Sequence, residues 1–168
     1  NKGLENIHKS IISEKKINLE KTICYHIRRK DKLSTINKNI YGDLKINNHA
    51  EIIEKICKKL DKENLLILGD DLEYNNELRK ALNISQEIIT ANDINKINCQ
   101  FLDFYFMINS SSLILSNSSF SLWAGYLSNA KYIFYPKPLF PYPRHQSVSK
   151  LTYEDLIMPI WNQYDSFL

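Results

Sequence analysis

Two adjacent arginines, Arg28 and Arg29, close an apolar run, Ile23-Cys24-Tyr25-His26-Ile27, and are followed by Lys30 and Asp31. A guanidinium is a planar fork of donors that can meet phosphate oxygens two at a time. The run before it is rich in β-branched and aromatic residues, the pattern of a strand buried on both faces. In open α/β sheets, ligands gather outside the carboxyl ends of the strands. Cationic forks at such an end predict an anionic ligand, a diphosphate, at Arg28 and Arg29.

A second cluster has matching chemistry. Ser116-Asn117-Ser118-Ser119 follows a short apolar run at 113–115 and leads into a helix over 120–127. Helix N-termini carry unpaired N–H groups and partial positive charge, so they take anions readily. Small hydroxyls add donors without blocking close approach. If the strand before it is parallel, this turn lies on the same sheet edge as the arginines, and the two clusters could clasp one diphosphate. Each feature also has a plainer reading. A serine or asparagine here can be an N-cap. Arg28 and Arg29 can pair with Asp70 and Asp71 in a structural ion network. His26, among apolar neighbours, can be a satisfied core histidine. Asp103 can be a first-turn acid favoured by the helix dipole.

Elements that would position these residues can be read from periodicity. Leu4, Ile7, Ile11 and Ile12 give a helical stripe over 4–15, followed by a link to a strand at 21–28. Residues 29–47 are polar and read as a long loop with a turn at Tyr41-Gly42-Asp43, the kind of loop that is often functional. A helix over 48–60 is followed by a strand at 65–68, closed by Gly69-Asp70-Asp71. A short helix at 75–82, a strand at 87–90 and an irregular stretch at 91–98 come next. Residues 100–109 form a strongly apolar helix. A strand at 113–115, the helix at 120–127 and a strand at 131–135 complete the pattern, before Pro136, Pro138, Pro141 and Pro143 end regular structure. The remaining tail offers one short helix near 153–158. Alternating strands and helices predict an α/β fold: a Rossmann-like parallel sheet of about five strands with helices on both faces. The chain divides into a helix and link at 1–20, a ligand-binding domain at 21–145 and a tail at 146–168.

Composition narrows the function classes. A net charge of +3, with the charges scattered, argues against nucleic acid as partner. No apolar stretch is long enough to span a bilayer. The three cysteines, Cys24, Cys57 and Cys99, are far apart with no CxxC spacing, and read as reduced and buried. Together these predict a cytoplasmic protein, or one peripheral to the inner face of a membrane. The four histidines lack metal-ligand spacing, so no metal site is expected. Asn-x-Ser triplets at Asn83, Asn109 and Asn117 read as chance in an asparagine-rich chain.

His26-Ile27-Arg28-Arg29-Lys30-Asp31 resembles the HxRRxD signature of the α-1,2-fucosyltransferases and their relatives. Gly69-Asp70-Asp71 resembles a later SDD-type segment of that family. Asp103, Met107, Asn117-Ser118-Ser119-Phe120-Ser121 and Trp123 resemble its NS(S/T)FSWW segment and the helix before it. Three motifs in order are far more specific than one, and the similarity covers roughly residues 20–140.

The resemblance implies an inverting, metal-independent transfer of fucose from GDP-fucose to a glycan acceptor, on a GT-B-type fold of two Rossmann-like halves. This chain would be the C-terminal, donor-binding half, either a fragment or free-standing, with no cofactor. It implies that Arg28 and Arg29 hold the donor phosphates and offset the charge growing on GDP. His26 would sit against the nucleotide, with Asp103 helping to shape its pocket. Asn117, Ser118, Ser119, Phe120 and Ser121 would line the phosphates. Asp31 is a candidate catalytic base by position, with a salt bridge to a neighbouring arginine as its other reading. The chain departs from the family at Lys30, where glycine is usual, at Lys32, where tyrosine is usual, and at Leu122, the first of the two tryptophans. Two further readings stay open: another nucleotide sugar or fucose linkage, and a non-catalytic nucleotide-binding module.

Overall fold

The computed structural model describes residues 2–30, 45–94, 100–137 and 157–165. Its strands are β1 (Thr22–Ile27), β2 (Asn64–Gly69), β3 (Glu87–Thr90), β4 (Ser112–Ile114), β5 (Tyr132–Lys137) and β6 (Asn162–Asp165). They form one six-stranded sheet in the order β3-β2-β1-β4-β5-β6. Every neighbouring pair is parallel. The helices are α1 (Lys2–Glu14), α2 (Ile46–Lys59), α3 (Leu72–Ala81), α4 (Ala91–Ile94), α5 (Gln100–Asn109) and α6 (Ser119–Leu127).

Side chains of β1 alternate between two cores, as the pleat requires. Ile23, Tyr25 and Ile27 pack with Ile52, Ile53 and Ile56 of α2 and Leu78 of α3. Cys24 faces the other way, into a core with Phe106 and Met107 of α5 and Leu122 and Ala124 of α6. All six residues of β1 are buried, and each large apolar side chain so buried contributes roughly 2 kcal/mol. Helices on both faces of a parallel sheet are the Rossmann-like arrangement that the alternating pattern predicts. Ile11 and Ile12 of α1, with Ile17 beyond it, pack on the second core, so the N-terminal helix is tied to the sheet.

Four differences from the sequence reading have physical causes. The third helix starts at Leu72, three residues before the expected 75, because the Asp71 side chain accepts the Tyr74 N–H at 3.2 Å and caps it. Residues 91–94, read as irregular, form the single turn α4. Asp93 folds back to take the Thr90 N–H at 2.7 Å. The sheet has a sixth strand, β6, where a tail was expected; Asn162–Asp165 joins through its backbone alongside β5. Ile157 and Met158, read as the end of a tail helix, are not helical. The turn at Tyr41-Gly42-Asp43, most of the tail helix and the 145/146 boundary lie outside the described residues. Among the described residues, no helix is long and apolar enough to cross a membrane.

Candidate functional site

From β1 the chain builds outward to β2 and β3, then returns to place β4 on the other side of β1. The order therefore reverses between β1 and β4, and the crevice beyond their carboxyl ends is the expected ligand site. Parts of both sequence clusters meet at that crevice. His26, the penultimate residue of β1, places Nδ1 3.3 Å from Ser116 Oγ in the turn after β4. Its ring lies 5.1 Å from that of Phe120 in the first turn of α6. Phe120 in turn meets Phe104 of α5 edge-on at 5.2 Å. The cleft, about 130 Å³, is lined by His26, Arg28, Lys30, Asp70, Gln100, Asp103 and Phe120.

The turn after β4 is held by its own polar groups. The Ser116 N–H donates to Ser121 Oγ at 3.0 Å, and the Ser118 N–H donates to Ser116 O at 2.8 Å. Ser121 is fully buried, so its oxygen shapes the turn from inside. Ser118 is the N-cap residue in an extended conformation, but its hydroxyl makes no capping hydrogen bond. The plain N-cap reading is thus not carried by the Ser118 side chain. The first-turn N–H groups of a helix have no acceptor within it. Ser119 is exposed, and Asn117 is half-buried.

The two arginines part company. Arg28 lines the cleft. Arg29 turns to the α2–α3 face, where its guanidinium lies 3.8 Å above the Tyr74 ring and Nε is 3.4 Å from Asp71 Oδ2. Tyr74 packs edge-on against His49 at 5.7 Å, and His49 Nδ1 is hydrogen-bonded to the Tyr25 hydroxyl. The structural ion network read as an alternative is therefore present for Arg29. Asp70 holds the backbone of the same segment: its carboxylate accepts the Arg29 N–H at 2.8 Å and the Lys30 N–H at 3.2 Å. Gly69 allows the two strand ends to approach. Its φ is +150°, and a Cβ there would lie 2.0 Å from the Ile27 carbonyl oxygen.

Asp103 sits in the first turn of α5 and is buried, at 7% exposure. Its Oδ1 has no hydrogen-bond partner. Burial, and secondarily the charge of Asp70, push its pKa up to about 7 from an ordinary 3.8. Asp103 lines the cleft and is more than a first-turn acid, because the helix dipole alone needs no burial.

The structure thus gathers His26, Arg28, Asp103 and Phe120 at one cleft, with the Asn117–Ser119 turn beside it. It turns Arg29 away and points Ser121 inward. Asp31 lies outside the described residues. Sequence reasoning missed Gln100, which depends on where α5 begins in space and leaves no local signal. It also missed Asp70 as the group that fixes the backbone after β1.

The parallel sheet flanked by helices, with a polar cleft at its switch point, defines a Rossmann-like α/β protein. The model of glycosyl transferase family 11 matches residues 2–162, nearly the whole chain. The chain belongs to this family, and so is a glycosyltransferase of the fucosyltransferase kind, which uses an activated-sugar donor and a glycan acceptor. No curated protein matches it.

Proposed function

We propose that the cleft between β1 and β4 binds GDP-fucose and that the chain transfers fucose, with inversion and without a metal ion, to a glycan hydroxyl in α-1,2 linkage. One observation carries this reading: His26 of the HxRRxD segment meets Phe120 of the NSSFS segment, and Ser116 just before it, across the switch point. In this reading Arg28 and the start of α6 face the diphosphate, while Arg29 acts by bracing the loop that presents Arg28. His26 and Phe120 offer ring faces to the nucleotide. Asp103, at the cleft lining, accepts N–H groups from the guanine edge.

The acceptor oxygen forms a bond to C1 of fucose as the bond from C1 to the β-phosphate oxygen breaks, and its electron pair leaves with GDP. The acceptor proton passes to a carboxylate, for which Asp31 is the candidate. Charge grows on the diphosphate as the bond breaks. A fixed guanidinium and helix N–H groups lower the barrier by being aimed there in advance. The chain is read as the donor-holding half of a GT-B transferase, so the acceptor is gripped largely by a second half.

The test is a transfer and hydrolysis assay against a panel of nucleotide sugars, with and without EDTA. Turnover of GDP-fucose in preference to UDP- and ADP-sugars, unchanged by chelator, is expected. Preference for another donor, or loss of activity with EDTA, overturns the reading.

A further inference from the structure

The departure at Lys30 falls in the cleft itself. Where the family usually has glycine, this chain places a lysine next to Arg28 in the cleft lining. Its backbone is fixed, because the Lys30 N–H donates to Asp70 Oδ2 at 3.2 Å. Its side chain is exposed, and among the described residues it makes no ion pair. Arg29, the residue that the HxRRxD resemblance would assign to the phosphates, is occupied by Asp71 and by the Tyr74 ring.

We infer that Lys30, and not Arg29, is the second cation that meets the donor diphosphate beside Arg28. This rests on the donor reading above and says which residues carry it out in this chain. A diphosphate carries more charge than one guanidinium offsets, and the Asp70 carboxylate already lines the same cleft. An ammonium on a flexible four-carbon stem, rooted in a fixed backbone, adapts to phosphate oxygens as a point charge. Arg29 cannot do the same without leaving both the Tyr74 face and Asp71. The usual glycine brings backbone close to the ligand; Lys30 replaces that approach with charge.

The test is calorimetry at low ionic strength on the parent chain, Lys30→Gln and Lys30→Arg, with GDP and with guanosine as probes. Lys30→Gln should weaken GDP by about tenfold, the scale of one charge-assisted hydrogen bond. Guanosine, which lacks phosphates, should bind all three proteins alike. Lys30→Arg should restore most of the loss, and added salt should shrink the difference. GDP bound equally by parent and Lys30→Gln overturns the inference while leaving the donor reading in place. Parallel losses for GDP and guanosine also overturn it, because the effect would then not be on phosphate. A folded parent that takes up no GDP removes the donor reading itself.

Discussion

Asp103→Asn should stabilise the free protein at neutral pH and weaken its hold on GDP. The carboxyl keeps its proton to about pH 7 in the folded chain, against 3.8 ordinarily. In the unfolded chain it ionises near the ordinary value. The folded state therefore binds more protons between those limits, and stability falls as pH rises through them. One unit of pKa is about 1.4 kcal/mol, so between about pH 4.5 and 7.5 this group removes roughly 3 kcal/mol of stability. Asparagine does not ionise. Whatever an orphan amide costs at that position is the same at both pH values and cancels in the comparison. Urea unfolding of parent and variant at the two pH values should show the variant gaining about 3 kcal/mol on the parent at the higher pH. In a chain of this length that is a shift in Tm of roughly 6–12 °C. The same variant should bind GDP more weakly, because an amide does not reproduce the carboxylate's two acceptor oxygens. Parallel pH profiles for the two proteins would refute the claim that Asp103 is strained by burial. Unchanged GDP affinity would remove it from the nucleotide pocket.

Gly69→Ala should cost more than about 2 kcal/mol in urea unfolding, because the added Cβ meets the Ile27 backbone and the β1–β2 ends must part; a neutral variant contradicts that close approach. His8 is buried against Tyr105 and Phe106, neither ring nitrogen has a partner, and burial pushes its pKa down. Its folded state refuses a proton that the unfolded chain takes near pH ~6.5, so stability is intact above that value and lost as pH falls below it; His8→Phe should flatten this acid limb in thermal melts, and an unchanged limb contradicts the assignment. Ser121→Ala leaves the Ser116 N–H without its acceptor inside the turn and should cost about 1–2 kcal/mol, read by urea unfolding, with GDP affinity falling as the turn loosens. Equal stability would show the turn held by other groups.

How legible the fold was depended on burial. β1, β2 and the helix over Gln100–Asn109 stood out because buried parallel strands and core helices are nearly continuous apolar runs. β6 did not, because Asn-Gln-Tyr-Asp has no strand composition and pairs at the sheet edge through its backbone. At the site, chain order and helix-end chemistry pointed to the edge where His26, Ser116 and Phe120 meet. Arg28 and Arg29 lie just beyond β1, and Arg29 is drawn aside by the Tyr74 ring and Asp71, partners that the motif does not show. The state of Asp103 had no sequence signal, since a first-turn acid looks the same whether exposed or buried; only the packing of α5 against the sheet makes it strained.

The central claim is that Arg28 and the start of α6 face a nucleotide diphosphate across the β1–β4 crevice. Its most direct test is calorimetric titration of the folded chain with GDP, repeated on Arg28→Gln. Saturable binding to the parent, weakened at least about tenfold in the variant while its melting profile is kept, is the predicted result. Absence of heat from the folded parent, or equal affinity in the two proteins, would contradict it.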